Sequence, residues 1–300
     1  MDETKWLCIM ALLDTGEQMY VLLVPRGGFN DCMCVIHKHI QYCIQHNRTL
    51  LVYRPTNYDI NLSDYFTIRS DHIIYDSDEI IELMLRDQHS IYRNIADVKE
   101  LVELLKRPYA SFKYVPGNGG VFMCNGVSCA CPSEDVPEDI IVSCCCGGGQ
   151  GYSLFKDLCF TDILKDHCRH LLRTMGNAPY ICLQVRHTDY KCDYKQLYED
   201  NKEHIHQYKT VCLCTDNEEV LHFYRGVHPN VVNFTTFPSC NKALSLHSSS
   251  VQPDIKIKNL IGDLLMATNS DEILSNSKGG FIQLLRTCFA HKNDVLAKIA

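Results

Sequence analysis

ICLQVRHTDYKCDY, residues Ile181–Tyr194, decides how this chain is read. Its first half alternates Ile181, Leu183 and Val185 with smaller or polar neighbours, the period of a short strand leaving a core. Arg186 then opens a turn, and Asp189 and Asp193 follow it closely. Ligands of open α/β sheets bind at the carboxyl ends of strands, and a guanidinium placed there offers a planar fork to a diphosphate. The two aspartates are near enough to hold that arginine or to act as bases. A surface Arg/Asp pair that merely caps the next helix is the competing reading, because an acid is a routine helix start.

The rest of the composition sets limits on the partner. A chain of 300 residues exceeds the usual single-domain size, which predicts one large domain or, the favoured reading, two Rossmann-sized halves. Its 46% hydrophobic and 22% charged residues are those of an ordinary globular protein. A net charge of −7, with no block of Lys and Arg, argues against nucleic acid or an anionic membrane surface as the main partner. An anionic ligand must therefore be met by a local pocket. The opening stretch MDETKWLCIMALLDTGEQMYVLLV has two acids before its apolar run and interrupts the run with Asp14 and Glu17, so it reads neither as a signal peptide nor as a membrane span. Many of the 18 cysteines, such as Cys182, Cys212 and Cys214, sit in apolar strand-like runs. They read as reduced core residues in a cytoplasmic setting. No CxxC pair occurs, and although a zinc site around Cys124, Cys129 and Cys131 is conceivable, no structural metal is expected.

In chain order, Met19–Val24 reads as a strand and Pro25-Arg26-Gly27-Gly28-Phe29-Asn30-Asp31 as a glycine turn. Phe29, Met33, Ile36, Ile40 and Cys43 then form the stripe of a helix through His46, with Thr49–Tyr53 the next strand. The turn, with Gly28 and Asn30, is suited to presenting amides and a helix N-terminus to a phosphate. GGxND is not GxGxxG, however, and such a turn is often only a connection. Residues 60–112 are expected to be helical and mostly polar, with DEIIELML and VKELVELL the clearest amphipathic pieces. Residues 115–138 are expected to form irregular loop. Asp139–Cys146 is a strand leading into Gly147-Gly148-Gly149-Gln150-Gly151, a run that permits close backbone approach to a ligand or a flexible crossing. After a helix over Thr161–Met175, the Gly176-Asn177-Ala178-Pro179 turn marks the expected boundary between domains 1–175 and 176–300.

The second half repeats the strand-then-acid arrangement. Thr210–Thr215 ends in Asp216-Asn217, where Asp216 either caps the following helix, the safer reading, or faces a ligand. Val231–Thr235 is another strand. Ile257, Leu260, Ile261, Leu264 and Leu265 form a helical stripe with Asp263 on its flank. The short strand Glu272–Leu274 then runs into Ser275-Asn276-Ser277-Lys278-Gly279-Gly280, which opens a last helix through Arg286. Hydroxyls and amides converging at a helix N-terminus make a second anion site.

Taken together, GGFND after the first strand, VRHTDY, TDN after a strand, and a Leu/Asp helix followed by SNSKGG resemble the fucosyltransferase superfamily. That superfamily includes the α-1,2-, α-1,6-, nodulation and protein O-fucosyltransferases, and the resemblance is strongest over Tyr180–Arg286. It implies an α/β fold of GT-B type, two Rossmann-like domains facing a cleft, with 1–175 on the acceptor side and 176–300 binding the nucleotide sugar. It also implies an inverting, metal-independent transfer from GDP-fucose to a glycan or other hydroxyl acceptor, with no cofactor beyond the donor. By the same resemblance, Arg186 contacts the donor diphosphate and stabilises charge as GDP leaves. His187 completes an Arg-His pair similar to the nodulation enzymes, and Asp216 stands in the TDN segment on the donor side. Asp263 matches the acid that reads the guanine edge, and Ser277 with Ser275, Asn276 and Lys278 matches the phosphate-binding turn. Two positions depart from the pattern. Gln184 replaces a histidine associated with guanine contact, and Gly279 or Gly280 falls where members often have serine, so another donor, such as a nucleotide-rhamnose, would also fit.

Inversion requires a base for the acceptor proton and positive groups for the departing phosphate. Arg186 and the helix ends are assigned the second task. For the first, Asp193 is favoured over Asp189, which sits where it can orient Arg186. Two other classes remain beside a glycosyltransferase: a catalytically silent relative that binds nucleotide or glycan, and an oxidoreductase, the weakest because no strand is followed by GxGxxG.

Overall fold

A computed structural model describes residues 19–55, 57–68, 73–74, 77–86, 89–107, 111–116, 121–239 and 249–300. The opening stretch, read above as neither signal nor span, lies outside them up to residue 18. The elements are β1 (Tyr20–Arg26), α1 (Phe29–His46), β2 (Thr49–Val52), β3 (Phe66–Ile68), β4 (Ile73–Ile74), α2 (Ser77–Arg86), α3 (Val98–Leu105), β5 (Lys113–Val115), β6 (Val121–Cys124), β7 (Val127–Ser128) and β8 (Ile140–Cys146). They continue with α4 (Tyr152–Phe155), β9 (Leu158–Phe160), α5 (Asp162–Met175), β10 (Ile181–Val185), α6 (Tyr194–Ile205), β11 (Val211–Thr215), α7 (Glu218–Val227), β12 (Val231–Val232), α8 (Pro253–Asn269), β13 (Glu272–Leu274), α9 (Gly280–Ala290) and α10 (Lys292–Ala297). Among the described residues no helix is long and apolar enough to cross a membrane.

The chain gathers into two compact units. The first takes the chain up to Arg26, Val35–Thr56 and Ser70–Cys146; the second takes Gly27–Cys34, Asn57–Arg69 and Gly147–Ala300. Gly147–Met175 thus cluster with the second unit although they precede the turn at Gly176.

In the first unit the sheet order is β4-β2-β1-β8, with every pairing parallel. Parallel strands are covered on both faces and read as continuous apolar runs, as YVLLVPR does; every residue of β1 is buried. Leu22, Leu51 and Ile140 join Ile80, Leu101 and Leu105 of α2 and α3 in one core cluster. Fully burying side chains of this size contributes about 1.5–3 kcal/mol each. Two expectations fail here. Among the described residues of 60–112 the stretch is not helical throughout: DEIIELML and VKELVELL do fall in α2 and α3, but β3, β4 and two short 3-10 turns also occur. Residues 115–138 are not all loop, because β5, β6 and β7 form an antiparallel meander turning at Asn125-Gly126, both with positive φ. Asn-Gly is the usual two-residue hairpin signal.

In the second unit the order is β12-β11-β10-β13, again all parallel. Ile181, Leu183 and Val185 face Tyr194, Leu197, Leu221 and Tyr224 in a second core. The other side of the sheet meets α8, which contacts β10 and β11 as well as α5, α9 and α10. A helix enclosed by so many neighbours is apolar almost all round, and Ile261 through Thr268 are all buried. α5 ends at Gly176, where φ is +72° and the amide bonds back to Leu172 O, the expected glycine stop.

Candidate functional site

From β10 the chain builds outward through β11 to β12, then returns by α8 to place β13 on the other side of β10. The loops after β10 and β13 therefore diverge, which opens a crevice at the carboxyl ends of the strands. A cavity of about 330 Å³ lies there, within the size range of small-ligand sites. Its walls are the strand ends Gln184–Arg186 and Cys214–Asp216, the inner face of α8 from Lys256 to Asp263, the turn from Ser277 into α9, and the Gly28–Asp31 segment with Tyr58. All of these belong to the second unit.

Arg186 is gripped by a two-pronged ion pair. Its Nε donates to Asp189 Oδ1 at 2.9 Å and its Nη2 to Asp189 Oδ2 at 2.5 Å. Such bidentate pairing fixes the guanidinium plane, and Nη1 stays towards the α9 turn, 3.5 Å from where a Cβ on Gly279 would stand. Asp189 thus stands against the arginine it was expected to orient. Asp193 does something else: it is the N-cap of α6, its carboxylate accepting from Gln196 N at 2.9 Å, and it does not line the cavity. The helix cap that competes with a ligand role in RxxD thus belongs to Asp193, not to Asp189.

Asp216 departs from its safer reading. The cap of α7 is Asn217, whose side chain accepts from Glu219 N. Asp216 instead takes His187 N at 2.7 Å and Thr188 Oγ1 at 2.6 Å, so it ties the Arg186 loop to the end of β11. Burial raises its pKa against those two donors and nearby Arg186. His187 spends Nδ1 on Cys192 O and lies outside the cavity wall.

The SNSKGG turn is held by its own hydroxyls. Ser275 donates to Gln184 Oε1 at 2.7 Å and accepts from Ser277 N at 3.0 Å, while Ser277 Oγ accepts from Gly279 N at 3.4 Å. Of the expected phosphate-contact group, Ser277 lines the cavity together with Gly279 and Gly280. Ser275 and Asn276 shape the turn, Asn276 by donating to Asp193 O, and Lys278 is exposed. Two amides expected to be free for an anion are thus already engaged.

Asn30 is likewise partly structural. Its Nδ2 donates to Gly149 O and its Oδ1 accepts from Gly151 N. A Cβ on Gly147 would sit 2.6 Å from Asp31 O, and one on Gly280 2.8 Å from Asn30 Nδ2. Gly147, and Gly151, whose Cβ would sit 2.7 Å from Asn30 Oδ1, are therefore required by close packing on the first turn of α1, whereas a Cβ on Gly148 or Gly149 would meet nothing within 4 Å.

Asp263 is 9% exposed, not a solvated flank residue. Thr235 Oγ1 reaches its Oδ1 at 3.4 Å, and Cys214 Sγ its backbone oxygen at 3.6 Å. Desolvation first, and then the neighbouring Cys212, push its pKa well above the carboxylate range. Asp31, Tyr58, Lys256 and Asn259 also line the cavity, and sequence reasoning had not singled them out as contacts. Asp31 alone carried a local signal, standing next to Asn30 in the glycine turn. Its carboxyl pKa is raised by burial, opposed by the Gly28 N–H and by Arg186; burial lowers that of Lys256, opposed by Asp59. Among the described residues no group of three His, Cys, Asp or Glu side chains is placed to hold a metal ion.

No protein-family model and no curated protein sequence matches the chain. Solved structures do. The crystal structure of NodZ alpha-1,6-fucosyltransferase soaked with GDP-fucose superposes with a TM-score of 0.57 at 15% identity, covering 90% of this chain and 92% of that one. NodZ co-crystallised with GDP gives 0.54 at 16% over the same shares. The selenomethionine form of NodZ from Bradyrhizobium gives 0.51 at 16%, over 90% and 91%. At this identity the likeness is one of fold: mixed α/β with parallel sheets, shared along nearly the whole of both chains.

Proposed function

We propose that the chain is a glycosyltransferase of GT-B type that moves a deoxy-sugar, L-fucose from GDP-fucose, with inversion to a hydroxyl of a glycan or related acceptor. Residues 176–300 take the donor and 1–175 serve the acceptor side, with Gly27–Cys34, Asn57–Arg69 and Gly147–Met175 adding to the compact unit that holds the cavity. The observation that carries the reading is the pairing, in one crevice at the strand-order switch, of a fork-held Arg186 with a buried carboxylate at Asp263. The first suits a diphosphate. The second suits a base edge with two N–H donors, which guanine has in N1–H and N2–H. Burial raises the proton affinity of Asp263, and two N–H donors supplied by a ligand would favour its ionised form. Transfer then needs Arg186 and the Ser277–Gly280 turn to take up charge on the leaving GDP, without a divalent ion.

Gln184 supports a second donor. Its Oε1 is taken by Ser275, which leaves Nε2 as the group for a ligand. An amide donor fits guanine O6 and uracil O4 equally, so a UDP- or GDP-linked rhamnose is the alternative. The test is nucleotide competition. GDP should bind more tightly than UDP, and Asp263→Ala should remove most of that preference, about 1–3 kcal/mol for an unmatched charged partner. A wild-type preference for UDP would overturn the guanine assignment, whereas equal binding of both by wild type and variant would return Asp263 to a structural role.

A further inference from the structure

Five carboxylates stand in or beside the crevice, and their hydrogen bonds sort them by what they have left to offer. Asp189 spends both oxygens on Arg186. Asp216 spends both on His187 N and Thr188. Asp193 caps α6 and lies outside the cavity wall. Asp263 is nine-tenths buried on α8 beside Thr235 and Cys214. Asp31 differs from all of them. It lines the same cavity as Arg186, it is half-buried, and only its Oδ2 is engaged, by Gly28 N at 3.2 Å. Nothing among the described residues donates to its Oδ1.

We propose that Asp31 is the general base of the transfer, a role that rests on the glycosyltransferase reading above. The acceptor O–H gives its proton to Asp31 Oδ1 as its oxygen forms a bond to the anomeric carbon. The bond from that carbon to the β-phosphate oxygen breaks, and the electron pair leaves on GDP beside Arg186. The proton on Asp31 then passes to water, so the sum is acceptor plus nucleotide sugar giving glycoside, GDP and a proton. Three features suit Asp31 to this. It is fixed on the first turn of an 18-residue helix. The Gly28 N–H holds one carboxylate oxygen and so sets the direction of the other. Burial brings its affinity for a proton closer to the working pH, which strengthens a base.

A merely structural Asp31, there to hold Gly28, has to be told apart from a base. The asparagine in Asp31→Asn still accepts from Gly28 N but cannot take a proton. GDP release from GDP-fucose is measured with water as acceptor and then in added azide, an anionic nucleophile that attacks carbon without giving up a proton. Titration with GDP checks that the variant's site is intact. Loss of a general base costs about 100-fold or more. Asp31→Asn is expected to lose about that much of the water-driven release while keeping azide-driven release, with formation of the glycosyl azide, and GDP affinity within about threefold of wild type. Unchanged water-driven release would overturn the proposal, and so would a parallel loss of both routes, which marks a positioning role. Wild-type protein that releases GDP by neither route would instead overturn the glycosyltransferase reading, and this role with it.

Discussion

Replacing Arg186 by lysine separates charge from geometry. The ammonium keeps the positive charge, but it loses the planar group whose Nε/Nη2 edge Asp189 holds at 2.9 and 2.5 Å and whose Nη1 side is left for a phosphate oxygen. A hydrogen bond to a charged group contributes about 1.5–3 kcal/mol. Losing one such bond, together with the fixed orientation, amounts to about 1.5–4 kcal/mol in the transition state, or roughly tenfold to a thousandfold in turnover. Stability should hardly move. The pair is partly in water, with side chains 27% and 46% exposed, and ion pairs in such settings contribute about 0–1 kcal/mol. The assay is steady-state GDP release from GDP-fucose, with a thermal melt alongside. Near-normal turnover in Arg186→Lys would refute the role given to the fork, and a large fall in melting temperature would show that the arginine holds the fold instead.

Two further outcomes follow from the same site. Asp263 keeps its proton in the folded state to a higher pH than in the unfolded chain, so its ionisation opposes folding by up to about 1.4 kcal/mol per pH unit, from the ordinary carboxylate range up to its raised value. Thr235, Cys212, Cys214 and Asp216 surround it. Asp263→Asn, which cannot ionise, should therefore be increasingly more stable than wild type as pH rises through that window, as read by melts at several pH values; a gap that does not grow with pH would contradict the sign. Transfer should also persist in excess chelator, because Arg186 and the α9 turn carry the counter-charge, and activity that disappears and returns with manganese or magnesium would contradict this.

Much of the scaffold was legible because parallel strands are short continuous apolar runs. Residues Ile140–Cys146, Ile181–Val185 and Val211–Thr215 announce themselves in this way, and the stripe from Phe29 to Cys43 gives α1 through His46. The small strands β3 to β7 were not legible. They are two to four residues long, too short for a period to show, and β5 to β7 carry largely exposed or half-exposed side chains. At the site, spacing correctly tied Asp189 to Arg186, since residues three apart on a turn can meet. It could not say which of Asp193, Asp216 and Asn217 would cap a helix, because all three stand just before helical runs and the choice is made by tertiary partners such as His187 N. The burial of Asp263 was hidden for a similar reason. An acid among apolar helix positions looks solvated until the helix is seen to be enclosed on every side. Asp31 was overlooked because the glycines beside it drew the reading towards backbone amides, one of which, Gly28 N, turns out to be bound by Asp31 itself.

The most direct test is a donor panel. Purified protein is incubated with GDP-fucose, GDP-mannose, a nucleotide-rhamnose, UDP-glucose and UDP-N-acetylglucosamine, with and without glycan acceptors, and free nucleoside diphosphate is measured. The account predicts release of GDP from GDP-fucose well above that from every UDP-sugar, lost in Arg186→Ala. Binding of GDP with no turnover of any donor would contradict it and mark the protein as a nucleotide-recognition relative of the same fold.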